Sequence, residues 1–404
     1  MSDYKPRYLV MVTASANNNK YYKQIPNGDS WTAEYGRIGS SPQRRTYSMS
    51  QWDSKYKEKI HKGYVDQSEL VKDLIQVEKP KTNSGYKEIE NEVIAEIVER
   101  LQSMAEKAIS DNYTISSNKV TQTMVDEAQT IITNLLSVDD ITTFNDTLLK
   151  LFTTIPRRMG DVKYHLANET EDFAKIIQRE QDLLDVVKGQ VVQHQLIDEP
   201  EQEIKKSENT ILEQLGLVFE ECDDSDIMVI KTTLGSCSNR FYKSWKVKNI
   251  KTQGQFDNYV KENNIQNIKL LFHGSRNENW WSIINSGLVL KPTNAIINGK
   301  MFGYGIYYAT KAEKSLGYTS LSGSYWAKGN SPSGFMALVN VAYGKPYDVY
   351  TFDNRYHSLD YNGLQRIAPG TNCLHAHKGN MLRNDEIIVY KEEQCTIKYL
   401  VELR

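Results

Sequence analysis

The apolar positions of this chain fall into three textures along its 404 residues. Over residues 1–80, short runs of strand formers alternate with turns. YLVMVTA is followed by NNNKYYKQIPNGDSWTAEYGRIGSS, which predicts a β-meander broken at Asn-rich, Pro-Asn-Gly and Gly-Ser points. MSQWDSKYKEKIHKGY then carries Trp52, Tyr56 and Ile60 at four-residue spacing, which predicts one amphipathic helix. KPKTNSGY, residues 79–86, reads as a linker. Residues 87–195 change to helical periodicity: Ile94, Ile97, Leu101 and Met104, then Met124, Ala128, Ile131 and Leu135. Phe173, Ile176 or Ile177, Leu183 or Leu184, and Val187 repeat it, and Pro156 marks a break between helices. Residues 196–210 are charged and poor in apolar side chains, a second linker. From 211 to 404 the runs IKLLF, GFMALVNVAY, EIIVY and TIKYLVEL predict strands. The expected fold class is α+β and multidomain: a small β-rich head, an all-α bundle and a mixed C-terminal domain.

Composition narrows the class. A hydrophobic fraction of 39% and a charged fraction of 25% are those of an ordinary globular protein. No apolar run approaches the roughly 20 residues of a membrane span. The apolar stretch in MSDYKPRYLVMVTAS is too short for a signal peptide, so the chain reads as intracellular with no membrane partner. Cys222, Cys237, Cys373 and Cys395 are scattered without a C-x-x-C pair. His375 and His377 lie near Cys373, but no fourth ligand presents itself, so an alternating strand edge or loop is expected there and no metal. The net charge of -2 hides an asymmetry. Residues 1–65 hold eleven Lys and Arg against five Asp and Glu, about +6, while 85–210 is acidic. A basic head points to an anionic partner for the head alone.

The chemistry concentrates in LLFHGSRNENWWSIINSGLVLKPTNAIINGKMFGYGIYYATKAEKSLGY, residues 270–318. It sets His273-Gly274-Ser275 in a turn after an apolar strand, then a glycine-broken loop, then Tyr307 and Tyr308, then Ser315 and Tyr318. Backbone groups, a hydroxyl and tyrosine faces are what a flat amide-bearing ring requires. Downstream, Glu386 heads the last strand pair in DEIIVYKEEQCTIKYLVEL.

This set resembles the catalytic domain of the poly(ADP-ribose) polymerases, with its ADP-ribosyltransferase fold and NAD+ as substrate. The resemblance implies that His273 hydrogen-bonds the adenosine ribose and that the Gly274 backbone binds the nicotinamide amide. Tyr307 matches the family's central tyrosine, Ser315 the carboxamide-binding hydroxyl and Tyr318 the ring that stacks on nicotinamide, with Lys314 beside them. The steps of eight residues from Tyr307 to Ser315 and three more to Tyr318 reproduce the family's spacing. Ser275 and Asn279 align with contacts to the adenosine half, and Val289 departs from an arginine common in relatives. Glu386 matches the catalytic carboxylate, with Asp385 and Glu392 as lesser alternatives. His273, Tyr307 and Glu386 together complete the triad associated with chain elongation.

The segments before it extend the resemblance. LFTTIPRRMGDV…IIQREQDLLDVVKGQVV, residues 151–193, is similar to the helical regulatory domain of DNA-dependent members. The head resembles a WGR domain, with Tyr35-Gly36-Arg37 after Trp31. The implied nucleic-acid contacts are Trp31, Tyr35, Arg37, Arg44 and Arg45, and the implied partners are DNA strand breaks and acceptor proteins, the chain itself included. The expected domains are 1–80, 87–205 and 211–404, and the expected location is the nucleus in a eukaryote, otherwise the cytoplasm or nucleoid. Two rivals stand: a mono-ADP-ribosyltransferase whose head binds RNA or protein, and a non-enzymatic break-binding scaffold.

Overall fold

The structure, a computed structural model, describes residues 4–69, 86–113, 120–195, 208–290, 301–325, 327–379 and 382–404. Most of both expected linkers and part of the glycine-broken loop, 291–300, lie outside the described residues. The chain divides into two compact units, Met1–Lys81 with Glu106–His194, and Thr82–Ala105 with Gln195–Arg404. The head and most of the bundle thus share one unit, and the first bundle helix lends its N-terminal half to the other. Among the described residues no helix is long and apolar enough to cross a membrane.

In the first unit, strands β1 (Arg7–Thr13), β2 (Asn18–Asn27), β3 (Ser30–Arg37), β4 (Gln43–Ser48) and β5 (Val65–Asp66) form a sheet of order β4-β3-β2-β1-β5. The Pro-Asn-Gly point is the β2–β3 turn, with Asn27 paired to Ser30. Helix α1 (Trp52–His61) follows, and its Trp52 meets the buried Trp31 edge-on at 5.5 Å. Of the expected stripe, Trp52 is buried, Tyr56 half-buried and Ile60 exposed, so one aromatic seats the helix.

Helices α2 (Glu92–Asn112), α3 (Gln122–Leu135), α4 (Ile141–Thr154) and α5 (Asp172–Gln195) account for the 3.6-residue periodicity. Thr121 and Asp140 cap α3 and α4 by accepting from the third backbone N–H of each. Buried positions follow the predicted stripes with a shift at Ile132, which takes the place expected of Ile131. α4 ends where Pro156 requires, with Ile155 already extended at φ −120° and ψ 99°. Immediately beyond, Arg157 and Glu180 touch as an ion pair at 3% and 2% side-chain exposure, and Arg179 Nε donates to Glu180 at 2.9 Å.

The second unit is built on nine strands: β6 (Leu217–Glu221), β7 (Phe241–Asn249), β8 (Ile268–Gly274), β9 (Ile306–Ala309), β10 (Gly334–Ala342), β11 (Pro346–Val349), β12 (Cys373–Ala376), β13 (Glu386–Val389) and β14 (Cys395–Leu403). Their order is β11-β12-β13-β9-β8-β10-β14-β7-β6, antiparallel except for the β11–β12 pair. β13 and β14, consecutive in the chain, are not partners: β13 pairs with β12 and β9, β14 with β10 and β7. β12 lies between β11 and β13 with all four residues buried, which corrects the exposed edge or loop expected around His375. Glu402, fully buried in β14, is held by Arg100 of α2 in two contacts of 2.6 and 2.9 Å, and Ser333 Oγ accepts from the same guanidinium.

A buried ion pair that loses one partner leaves the other charge uncompensated. Glu180→Ala is therefore expected to lower unfolding free energy by about 3–5 kcal/mol, read from urea denaturation. A loss below about 1 kcal/mol would mean that the pair contributes no more than a surface one.

Candidate active site

The site forms where β8 ends. Phe272 of β8 pairs with Ala309 of β9, and Ala309 pairs with Glu386 of β13, so three strands bring the distant motifs together. In β9 and β13, Tyr307 pairs with Ile388 two positions from the Ala309–Glu386 pair, which puts Tyr307 and Glu386 on one face.

His273 lies against the Tyr307 backbone carbonyl, its Nδ1 at 3.2 Å. A carbonyl can only accept, so the ring proton sits on Nδ1 and the orientation is fixed. Tyr307 in turn orders the loop before β9: its hydroxyl accepts from Phe302 N and donates to Gly303 O, both at 3.1 Å. Burial pushes that phenol above the ordinary tyrosine range, so it stays protonated as a donor. Gly303, at φ +74°, is needed because a Cβ there would stand 2.1 Å from the Leu359 carbonyl oxygen.

Gly274 sets the tightest contact. A Cβ at this position would lie 2.0 Å from the Ser315 carbonyl oxygen, so only glycine lets the end of β8 reach the short helix Ala312–Leu316. Ser315 is buried, and the chain turns at once through Tyr318 N donating to Ser315 O at 3.1 Å. Tyr318 is half-buried, and burial raises its phenol. Gly274, Ser315 and Tyr318 are therefore gathered at one place. On the other side of the turn, Asn279 Nδ2 donates to Ser275 Oγ at 3.1 Å.

The sequence motif left Lys314 without a role, and the structure gives it one. Its Nζ touches Glu386 Oε1, with both side chains mostly buried at 17% and 13% exposure. Burial pulls the ammonium down to about 8. No periodicity announces this pair, since 72 positions separate its members along the chain. The alternative carboxylates are engaged elsewhere: Glu392 accepts from Leu290 N at 2.8 Å, and Asp385 from Lys378 N at 2.8 Å.

The head residues distribute differently from expectation. Trp31 is fully buried, stacked on Tyr47 at 4.8 Å, with its Nε1 donating to Ser48 O at 3.1 Å. That ring belongs to the core, so the nucleic-acid contact expected of Trp31 is corrected. Tyr35 is half-buried beside Tyr22, with the Lys59 ammonium 5.9 Å above its ring. Arg37 spends its guanidinium on carbonyls, Asn17 O at 2.8 Å, Gly160 O at 2.6 Å and Met159 O at 3.2 Å. It ties β3 to the segment after α4 and is not posed for phosphate. Arg44 pairs with Glu34 at 2.8 Å, and Arg45 lies exposed over the Tyr47 ring at 5.2 Å.

Comparison with known proteins agrees with this geometry. The poly(ADP-ribose) polymerase catalytic domain matches residues 227–404, and the WGR domain matches residues 5–71. A putative poly [ADP-ribose] polymerase-like protein, 100L of Invertebrate iridescent virus 6, is 31% identical over 166 residues, 41% of this chain and 87% of that relative. An uncharacterized protein of the same virus, 101L, is 33% identical over 187 residues, 45% of this chain and 76% of its own length. Poly [ADP-ribose] polymerase 1 of Xenopus laevis is 27% identical over 280 residues, 63% of this chain but 27% of that much longer protein. The catalytic domain is that of an NAD+ ADP-ribosyltransferase. The chain belongs to the poly(ADP-ribose) polymerase family, in the form that carries a WGR domain.

Two measurements probe this site. Gly274→Ala forces the Ser315 backbone away, and a displacement near 1 Å costs on the order of 100-fold in turnover. NAD+ consumption is expected to fall by about that factor with the melting temperature little changed; wild-type turnover would show that the close approach is unimportant. Glu386→Gln removes the counter-ion that favours charged Lys314 and leaves burial unopposed. The Lys314 ammonium should then titrate lower than in the parent, as followed by NMR of isotopically methylated lysines. An unchanged or higher titration would mean that the two side chains do not interact.

Proposed function

We propose that this chain transfers ADP-ribose from NAD+ to acceptor proteins, itself included, in response to DNA strand breaks. The observation that carries the reading is the close approach of Gly274 to Ser315, with Tyr318 at hand, on the same sheet as the Lys314–Glu386 pair. In this reading the Gly274 backbone and the Ser315 hydroxyl hold the nicotinamide amide while Tyr318 stacks on its ring. His273, with Ser275 and Asn279, serves the adenosine side.

The reaction breaks the bond from nicotinamide nitrogen to ribose C1′. The bonding pair leaves with the nitrogen, nicotinamide departs neutral, and positive charge develops on the ribose ring. Glu386 would accept from the ribose 2′-hydroxyl and orient the acceptor hydroxyl, whose oxygen forms the new bond to C1′ as its proton passes to that carboxylate. Lys314, touching Oε1, holds that carboxylate in place before the substrate arrives. His273, Tyr307 and Glu386 together support polymer growth over single-unit transfer.

Activation by DNA is assigned to the WGR head, with the bundle helices restraining turnover until a break is bound. A role in DNA damage response, with residence where broken DNA is found, follows from this assignment. One observation favours a second reading, in which the head binds RNA or a protein: Trp31 and Arg37 are already engaged within their own unit.

The test incubates the purified full chain with labelled NAD+, with and without 5′-phosphorylated nicked DNA, and resolves the products on a denaturing gel. DNA-dependent ladders or smears are expected, and Glu386→Gln should lose them by roughly 100-fold or more. Labelling that ignores DNA would overturn break sensing and leave the transferase standing. Undiminished polymer from Glu386→Gln would overturn the carboxylate's role.

A further inference from the structure

On the far side of β13 lies a cluster that the transfer reaction does not use. Asp348 of β11 is the register partner of His375 in the parallel β11–β12 pair. His377 follows His375 by two positions, and the two imidazoles stack with centroids 3.9 Å apart. Asp385, one residue before β13, closes the group from the other side. His375 pairs with Ile387 while Ala376 pairs with Glu386, so strand alternation puts His375 on the sheet face opposite Glu386. The cluster is separate from the candidate active site. It is not a run of acids on a surface, because two imidazoles, one of them 9% exposed, stand between the carboxylates.

We infer that Asp348, His375 and His377 form a binding site for one divalent transition-metal ion of the zinc type. One donor atom from each residue lies within 4.8 Å of the others. Asp348 Oδ1 is 2.7 Å from His377 Nε2 and 3.7 Å from His375 Nδ1. Tetrahedral zinc with bonds of about 2.0–2.1 Å sets its ligands roughly 3.3 Å apart, so the two separations from Asp348 Oδ1 change by about 0.4–0.6 Å, and the stacked imidazoles turn so that both lone pairs meet the ion. Two imidazoles and one carboxylate suit zinc and its neighbours and do not suit magnesium or calcium, which take oxygen donors.

The outer groups fit the same assignment. Asp385 Oδ2 accepts from His375 Nε2 at 3.0 Å, which fixes the proton on Nε2 and leaves the lone pair on Nδ1. That lone pair accepts from the Tyr343 hydroxyl at 2.8 Å, an exchangeable partner that a cation would replace. His377 Nδ1 lies 3.7 Å from the same Asp385 oxygen, so His377 can carry its proton on Nδ1 while Nε2 binds. A carboxylate accepting the second N–H of a ligating histidine, as Asp385 does for His375, is a common outer partner in zinc sites. Asp385 itself is anchored by Lys378 N, and Tyr350 stacks on the outer His377 ring at 4.4 Å. Three protein donors leave one coordination position for water. The ion would pin β11, β12 and the start of β13, immediately before Glu386.

The sequence showed a His-x-His step without further ligands. The missing donor is 27 residues upstream of His375, on a strand that only the parallel pairing brings alongside.

The experiment uses the untagged full chain, stripped with chelator and dialysed against Zn2+, with retained metal measured by mass spectrometry and affinity by competition with a chromophoric chelator. About one equivalent of Zn2+ should be retained. Asp348→Asn and His377→Gln should each weaken binding by at least about tenfold with an unchanged circular dichroism spectrum. Asp348 is exposed, so its variant tests the ligand without a folding penalty. Substitution by Co2+ should give the intense visible bands of a four-coordinate site, lost in the same variants. Failure to retain zinc, or retention equal in wild type and both variants, overturns the proposal. Neither result depends on transferase activity.

Discussion

The candidate active site depends on two backbones touching where a side chain would not fit. Gly274 ends β8, and the carbonyl of Ser315 lies where its Cβ would be. A helix of five residues, Ala312–Leu316, has no stability of its own and holds its place only by packing. Ala312 anchors it in the core, and the missing side chain at Gly274 decides how close it comes. Ser315 and Lys314 leave this short helix at adjacent positions. The contact that brings the serine to Gly274 therefore also delivers the lysine to Glu386 on β13. One glycine thus sets the position of both Ser315 and the Lys314–Glu386 pair.

Buried carboxylates recur, and the cation chosen for each differs with its task. Glu180 and Glu402, at 2% and 0% exposure, are both held by arginine. The guanidinium stays charged and offers a fixed fork, which suits a pair that must never open. Glu386 is held by lysine. An ammonium drawn to about 8 by burial is a compact partner whose charge responds to its surroundings. The difference separates two arginine-held pairs from the lysine-held pair at the candidate active site.

Much of this was legible in the chain. Strand runs, helical stripes and the Pro156 break all correspond to elements, because each is set by local periodicity or by a ring that removes an N–H. The glycine and tyrosine spacing of residues 273–318 was legible too, since the active-site contacts lie within one continuous motif. What stayed hidden required partners remote in sequence. Lys314 meets Glu386, and Asp348 meets His375, only through the order of strands in the sheet. β12 read as an edge or loop because two histidines and a cysteine look exposed until β11 and β13 flank them. Trp31 looked like a docking ring for the opposite reason: an aromatic beside Tyr35-Gly36-Arg37 suggested a surface, whereas Tyr47 and Trp52 enclose it.

The same distinction bears on the head's charge. A surplus counted along the sequence says nothing about which cations are already occupied. Asp53 is taken by Arg7, Glu58 by Lys55 and Lys62, and Glu34 by Lys23 and Arg44. Arg37 serves carbonyls, and burial holds the Lys59 ammonium below its usual range among tyrosines. Counted this way, attraction for an anion shifts from the Tyr35-Gly36-Arg37 turn to β4. Arg44 there is 67% exposed but paired with Glu34, and Arg45 lies exposed over the half-buried ring of Tyr47. The exposed Arg45 guanidinium on this edge strand can meet a phosphate, while the Tyr47 ring beneath it is already stacked on Trp31.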